Sequence, residues 1–258
     1  MAVLVAENLS KMYGSRRGVQ FEAIDRFNLS VDRAEFLGIM GPSGSGKTTL
    51  LNLLSTIDIP TSGKIEINNE KVTGLSKNKL AKFRRKEMGF IFQDYNLLDT
   101  LTIGENIVLP LTLQGAKLNV MEKKLVIVAK QLGIDTIIHK RTFEVSGGQL
   151  QRAAIARAII HDPTVIFADE LTGNLDSKSS LRVMESLKDL NQSQETTTIM
   201  VTHDPFAASF CERIIFIKDG KLFNEIHRGD NRQAFFQDIL NVQSLLGGNT
   251  DDFQTVRI

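Results

Sequence analysis

The chain has no tryptophan, two tyrosines, five prolines and one cysteine in 258 residues. A single thiol, Cys211, excludes an internal disulfide framework and suits a reducing compartment. An excess of charge is missing as well, since 31 Lys and Arg against 30 Asp and Glu leave a formal net charge of +1. No broad field favours nucleic acid or anionic lipid, so partners must be chosen by specific contacts. Long apolar runs are also absent. The most apolar stretches, 106–113 and 214–217, fall far short of the ~20 residues that cross a bilayer. Residues 1–10 lack the basic start and long apolar core of a signal peptide, with Glu7 and Asn8 interrupting them. These absences together predict a cytosolic protein that reaches a membrane only through a partner.

What is present suffices for a folded core: 42% of the residues are hydrophobic, enough for one large domain or two small ones. Its most informative stretch is Gly41-Pro42-Ser43-Gly44-Ser45-Gly46-Lys47-Thr48, which follows the apolar run 36–40 and opens the helix-like stretch 49–57. Strand, glycine loop and helix form the context that a phosphate loop requires. Gly41, Gly44 and Gly46 let successive N–H groups converge on phosphates, and the following helix adds its positive end there. Lys47 is expected to span the β- and γ-phosphates, and the Thr48 hydroxyl to hold Mg²⁺. Ser43, Ser45 and Thr49 complete the expected nucleotide cradle.

Residues 3–9, 21–31 and 62–68 read as strands of a small antiparallel sheet beside this loop. Tyr13-Gly14 reads as a loop between the first two. A tyrosine there either stacks on a purine or is simply half-buried, and spacing leaves both open. Residues 76–87 read as a helix with a basic, solvated face, and 88–92 as a short strand ending at Gln93. A helical pattern follows, with helices at 103–109 and 120–132, the latter carrying Leu125, Val128, Ala129 and Leu132 on one stripe. Ser146-Gly147-Gly148-Gln149 leads into a helix at 149–160, and 164–168 is a continuous apolar run suited to a central parallel strand. A helix at 177–190, a strand at 196–201 and a hairpin across Asp219-Gly220 come next. In the last helix, 231–246, Phe235, Ile239, Val242 and Leu246 share a face that reads as packing on its own domain. The polar tail 247–258 reads as a frayed end.

The 164–168 strand ends in Asp169-Glu170, and adjacent strand residues point to opposite sides. Asp169 is therefore expected in the Mg²⁺ shell, with Glu170 left to orient or deprotonate water. His203, just past the next strand, is placed to reach the γ-phosphate, and Gln93 to sense metal or water. Ser146-Gly147-Gly148 at a helix start forms a second anion-binding nest. One phosphate loop with two phosphate-reading elements points to a two-fold dimer in which each nest covers the other copy's nucleotide. A ligand-free N-cap would explain the serine but not the paired glycines or Gln149.

The phosphate loop, Gln93, Ser146-Gly147-Gly148-Gln149, Asp169-Glu170, Asp176 and His203 stand in the order seen in ABC transporters. Over nearly its whole length the chain resembles their ATP-binding subunit. This resemblance implies an α/β fold: an ABC-type P-loop ATPase domain over 1–230, with a mostly parallel core sheet, an antiparallel β subdomain and a helical subdomain at about 94–160. A C-terminal amphipathic helix and tail, 231–258, would follow. By the same resemblance Tyr13 stacks on adenine, Glu170 is the catalytic base, Ser146 binds the γ-phosphate in trans and Asp176 couples the two sites. Gln93 and the helical insert form a groove for the coupling helix of a membrane permease. Three positions depart from the family pattern. Leu171 replaces a usual Pro, which bears on how rigidly Glu170 is presented; Val145 replaces a Leu; Ala34 replaces a Gly, which predicts strain if its turn needs a positive φ.

More narrowly, residues 89–98, 217–220 and 232–239 are similar to ATPases of the bacitracin/lantibiotic-resistance type, within the macrolide-exporter and lipoprotein-release class. That likeness implies a permease partner, antimicrobial-peptide substrates and signalling to a sensor kinase through the permease. An ATPase of a lipoprotein-release, cell-division or signalling permease complex is the alternative. A DNA-repair or chromosome-organising ATPase would carry a long coiled coil between Lys47 and Ser146, where no sustained heptad run exists, and the near-neutral charge speaks against nucleic acid. A GTPase specificity motif is also missing, since Asn78-Lys79-Leu80-Ala81 lacks the aspartate.

Overall fold

Two sheets with different burial patterns organise the chain in the computed structural model, which describes residues 1–14 and 19–247. The strands are β1 (Ala2–Tyr13), β2 (Phe21–Asp32), β3 (Phe36–Met40), β4 (Ser62–Ile67) and β5 (Glu70–Lys71), then β6 (Met88–Ile91), β7 (Val165–Asp169), β8 (Thr197–Val201), β9 (Arg213–Lys218) and β10 (Lys221–His227). The helices are α1 (Lys47–Leu54), α2 (Lys77–Glu87), α3 (Ile103–Leu113) and α4 (Leu118–Gln131), then α5 (Gly147–Ile159), α6 (Ser177–Gln194), α7 (Pro205–Ala208) and α8 (Arg232–Leu246).

One sheet is antiparallel, in the order β2-β1-β4-β5. The other runs β10-β9-β3-β8-β7-β6 and is parallel throughout except for the β9–β10 hairpin at its edge. Every residue of β3 and β8 is buried, as expected of strands covered on both faces. Successive side chains alternate between two cores. Leu37, Ile39, Phe167 and Ile199 meet Leu50, Leu53 and Leu54 of α1 and the antiparallel sheet. On the opposite face Phe36, Met40, Ile166 and Ala168 meet Ile103, Ala154, Met184 and Ile239 from the remaining helices.

Several expectations shift locally. Tyr13 is not on a loop: it closes β1, opposite Phe21. Helix α3 does not stop before Pro110 but runs through it to Leu113, its apolar side held in the core by Ile103, Ile107 and Leu111. Tertiary packing there outweighs the lost backbone bond of the proline. The helix expected from residue 149 begins at Gly147, two residues early, and α6 continues to Gln194. Ala34 takes φ 62, the left-handed conformation that its family's usual glycine adopts without strain. Its N–H donates to Thr197 Oγ1 at 3.0 Å and its carbonyl accepts from Asn191 Nδ2 at 2.8 Å, which holds the turn in place.

Asn231 caps α8 by accepting from the N–H groups of Gln233 and Ala234 at 2.8 and 3.2 Å. Phe235, Ile239, Val242 and Leu246 are buried in the helical core, so the stripe does pack on its own chain. The Arg232 guanidinium lies 4.3 Å from the Phe210 ring centroid and pins the helix start to the segment after His203. The expectation for the tail falls on 248–258, outside the described residues. Among the described residues no helix is long and apolar enough to cross a membrane.

Candidate nucleotide site

Because β3, β8, β7 and β6 lie side by side and run parallel, their C-terminal ends emerge along one edge of the sheet. From that edge leave the 41–48 loop, His203, Glu170 and Gln93, in that spatial order. Topology alone thus gathers four segments spread over more than 150 residues of sequence.

Gly41, Gly44 and Gly46 have φ values of 155°, 78° and 101°. Their reasons differ. A Cβ would lie 2.2 Å from Ile217 O at Gly41 and 2.5 Å from Ala23 O at Gly46, so these two admit neighbouring backbone. At Gly44 nothing stands within 4 Å, and it alone opens onto free space at the cradle. Gly46 caps α1, whose first turn presents Lys47, Thr48 and Thr49 to a pocket of about 270 Å³ shared with Phe21, Ala23 and Gly44. The Lys47 ammonium donates to Gly41 O and Pro42 O at 3.0 and 2.8 Å. Burial pulls it below the ordinary lysine value, while Glu170 and Asp169 pull the other way. Ser45 Oγ is buried without a hydrogen-bond partner, and Ser43 sits exposed on the loop.

Asp169 ends β7 with Oδ1 buried and unpartnered. Burial, then the adjacent Glu170, raises its carboxyl above the usual range against the opposing Lys47. A hard cation with oxygen ligands fits such an orphaned carboxylate. Among the described residues no three His, Cys, Asp or Glu side chains form a cage, so phosphate oxygens would complete the shell. Removing the charge should show its cost: Asp169→Asn is expected to raise the melting temperature of the nucleotide-free protein and to abolish hydrolysis. The raised carboxyl pKa means that the penalty is absent below the ordinary carboxylate pKa and grows as pH rises through the folded-state pKa. Calorimetry checks this, at about 2–4 °C per kcal/mol relieved; a lowered melting temperature would show that Asp169 stabilises the empty fold.

Glu170 corrects the simple strand picture. It is not the next residue of the strand, with its side chain sent to the opposite face, but lies just beyond β7 at φ 46, in the left-handed region. Its N–H donates to Val201 O at 3.0 Å and its carbonyl accepts from Gly173 N–H at 3.1 Å. With Leu171 only 2% exposed in the helical core, this backbone is fixed without a proline at 171. The side chain turns toward His203, whose Nδ1 lies 3.1 Å from Glu170 Oε1. Gln93 lies against the same turn, since a Cβ on Gly173 would stand 2.9 Å from Gln93 Nε2. Asn174 Nδ2 joins the two loops by donating to Gln93 O and Asp94 Oδ1 at 3.3 and 3.2 Å.

The 146–149 segment lies apart, and none of its residues lines the phosphate-loop pocket. Gln149 Oε1 accepts from the Ser146 N–H at 2.9 Å and from Ser146 Oγ at 3.3 Å, so an internal cap does account for Gln149. The paired glycines have a packing reason too. A Cβ would stand 2.9 Å from Tyr95 Oη at Gly147 and 3.1 Å from Ser179 Cβ at Gly148. Asp176 caps α6, accepting from Lys178 N, Ser179 N and Ser179 Oγ at 3.0, 3.0 and 2.7 Å. These bonds, the Ser179 hydroxyl first, hold its carboxyl below the usual range. Tyr13 Oη donates to Asp58 Oδ2 at 2.8 Å. Neither Asp58 nor Lys11, which also binds it, belongs to any motif, and no sequence signal singles them out.

Residues 24–173 match the family model described as ABC transporter. The chain is 58% identical over 256 residues to the ABC transporter ATP-binding protein YxdL of Bacillus subtilis, covering 99% of each. It is 51% identical over 253 residues to the bacitracin export ATP-binding protein BceA of Halalkalibacterium halodurans, covering 98% of this chain and 100% of that one. A dimeric, post-hydrolysis structure of the ATP-binding cassette MJ0796 with ADP and phosphate superimposes with a TM-score of 0.79, at 38% identity, over 88% of this chain and 99% of the other. A phosphate loop, an orphaned carboxylate and a glutamate–histidine pair on one sheet edge, carried on this fold and by this degree of likeness, place the chain in the ABC transporter family as an ATP-binding, ATP-hydrolysing subunit.

Proposed function

We propose that this ATPase drives a membrane permease that protects its cell from antimicrobial peptides. The observation that carries the proposal is near full-length similarity to a bacitracin-export subunit, α8 included. ATP is read as the glue between two copies. The N–H groups and Lys47 of the 41–48 loop hold its phosphates while Tyr13 takes the base. Thr48 and Asp169, with Gln93 nearby, would hold Mg²⁺, whose charge offsets that of the β- and γ-phosphates.

As the copies close, Ser146 of one exchanges its bond to Gln149 for the γ-phosphate held by the other. Gly147 and Gly148 bring the positive start of α5 to the same oxygen. Glu170 accepts the proton of the attacking water, and His203 keeps that carboxylate aimed while reaching toward the γ-phosphate. Asp176, one turn before the Ser179 that packs against Gly148 of α5, couples the two sites through α6.

The permease contact is assigned to a groove of about 370 Å³ between α2, β6, α3 and α5, where Phe90, Phe92, Pro110 and Leu113 supply an apolar floor and Arg84 and Arg157 a charged rim. Gln93 itself does not line this groove, although the neighbouring Phe92 does. A coupling helix seated there would hold the chain on the inner face of the cell membrane, with a sensor kinase reached through the permease. Affinity purification from membranes, with bacitracin and lantibiotic sensitivity of a deletion strain, tests the proposal. A co-purifying permease and a sensitised strain, rescued by the wild type but not by Lys47→Ala, are expected. A permease without altered sensitivity would favour lipoprotein release or another permease-linked role.

A further inference from the structure

Three side chains from two distant parts of the sequence meet beside the nucleotide pocket. Lys11 Nζ donates to Asp58 Oδ1 and to Ile59 O, both at 2.7 Å, while Tyr13 Oη donates to Asp58 Oδ2 at 2.8 Å. Lys11 and Tyr13 are two residues apart on β1 and so share a side of the strand. The ammonium stands 4.9 Å from the Tyr13 ring centroid, within cation–π range. Lys11 is only 12% exposed and Asp58 31%, whereas Tyr13 is 42% exposed. The Thr49 side chain, which lines the pocket, also faces the tyrosine hydroxyl.

The arrangement does two things to the ring. Asp58 anchors the hydroxyl and stops the ring from swinging, and Lys11 occupies one of its faces. A single open face is left for a stacking partner. Asp58 also belongs to the segment that follows α1, and its N–H donates to Asn52 O at 3.0 Å. The base platform is thereby tied to the far end of the helix whose start holds the phosphates. A nucleotide has a fixed span from base to phosphate, so setting this distance in advance lowers the ordering cost of binding.

We propose that Lys11 and Asp58 are positioning residues for the nucleotide base, holding Tyr13 as a one-faced platform at a set distance from the 41–48 loop. This rests on the reading of Tyr13 as the base platform. Dissociation constants for ATP and for inorganic tripolyphosphate, which has no base, should be measured on the full chain. The variants are Asp58→Ala, Lys11→Met, Tyr13→Phe and Tyr13→Ala, with a Tyr13→Phe/Asp58→Ala double variant.

Asp58→Ala and Tyr13→Phe should each weaken ATP binding about 2–10-fold, the range for one hydrogen bond. Tripolyphosphate binding should not change, and the double variant should bind ATP no worse than the weaker single one, because both break the same link. Lys11→Met, which keeps the stem, should follow Asp58→Ala. Unchanged ATP affinity in Asp58→Ala and Lys11→Met, additive losses, or equal loss of tripolyphosphate binding would each overturn the clamp. If Tyr13→Ala binds ATP as the wild type does, the platform reading fails with it; if Tyr13→Ala alone is weak, only the clamp fails.

Discussion

Glu170→Gln is expected to bind ATP as the wild type does and to hydrolyse it about 10²–10⁴-fold more slowly in the assembled transporter, the usual contribution of a positioned base. The amide has the shape of the carboxylate and can still engage His203, which sits 3.1 Å from Glu170 Oε1, but it cannot take up a proton from water. Only a transition-state interaction is removed, so turnover should fall without a matching loss of nucleotide affinity. Backbone geometry strengthens the expectation. Held at φ 46 by its bond to Val201 and by the buried Leu171, residue 170 has little freedom to let another group take over. Phosphate release from the complex, together with nucleotide trapping, reads both quantities. Near-normal steady-state hydrolysis by the variant would remove Glu170 from the role of base.

The second large effect concerns composite sites. Ser146→Arg and Lys47→Ala should each silence a complex made of one variant alone, whereas mixing the two protomers should recover activity. In a mixed dimer the intact Lys47 of one copy faces the intact Ser146 of the other, and the second site carries both defects. With random pairing, roughly a quarter of wild-type sites are whole, as an isologous interface dictates. None of the residues 146–149 lines the phosphate-loop pocket of its own chain, which motivates the experiment. Recovery of nucleotide trapping or of hydrolysis supports shared sites. Absence of both in purified hybrids would mean that each copy works alone.

The internal bonds of Ser146 put a condition on that closure. Its N–H and hydroxyl are both engaged by Gln149 Oε1, so the γ-phosphate has to compete with a neutral amide oxygen. An anion at a helix start is the stronger acceptor, and exchange should favour the nucleotide. Gly147 and Gly148 admit Tyr95 and Ser179 at close range. The packing reason for the glycine pair is thus present whether or not the segment meets a ligand.

Legibility followed the range of the interactions. The 41–48 loop could be read because its glycine dihedrals, helix start, lysine and threonine all lie within eight residues, where steric rules act directly on the sequence. Asp169 could be read because an apolar strand ending in a carboxylate is itself a local pattern. The stripe on α8 was equally plain, since its period matches the helix. By contrast, the strand alternation that places Asp169 says nothing about a chain that leaves the sheet one residue later, and Glu170 took its direction from the bond to Val201. The helix expected over 103–109 likewise runs on through Pro110 to Leu113, because the core around Ile107 and Leu111 holds it.

The sequence alone determined that this chain carries a phosphate loop opening a helix and an apolar strand ending in a carboxylate, because each is written in a few adjacent residues. Tertiary structure alone decided that Glu170 meets His203 and that Lys11 and Asp58 hold Tyr13. Those partners lie 33, 47 and 45 residues apart, and only strand order and register bring them within hydrogen-bonding distance.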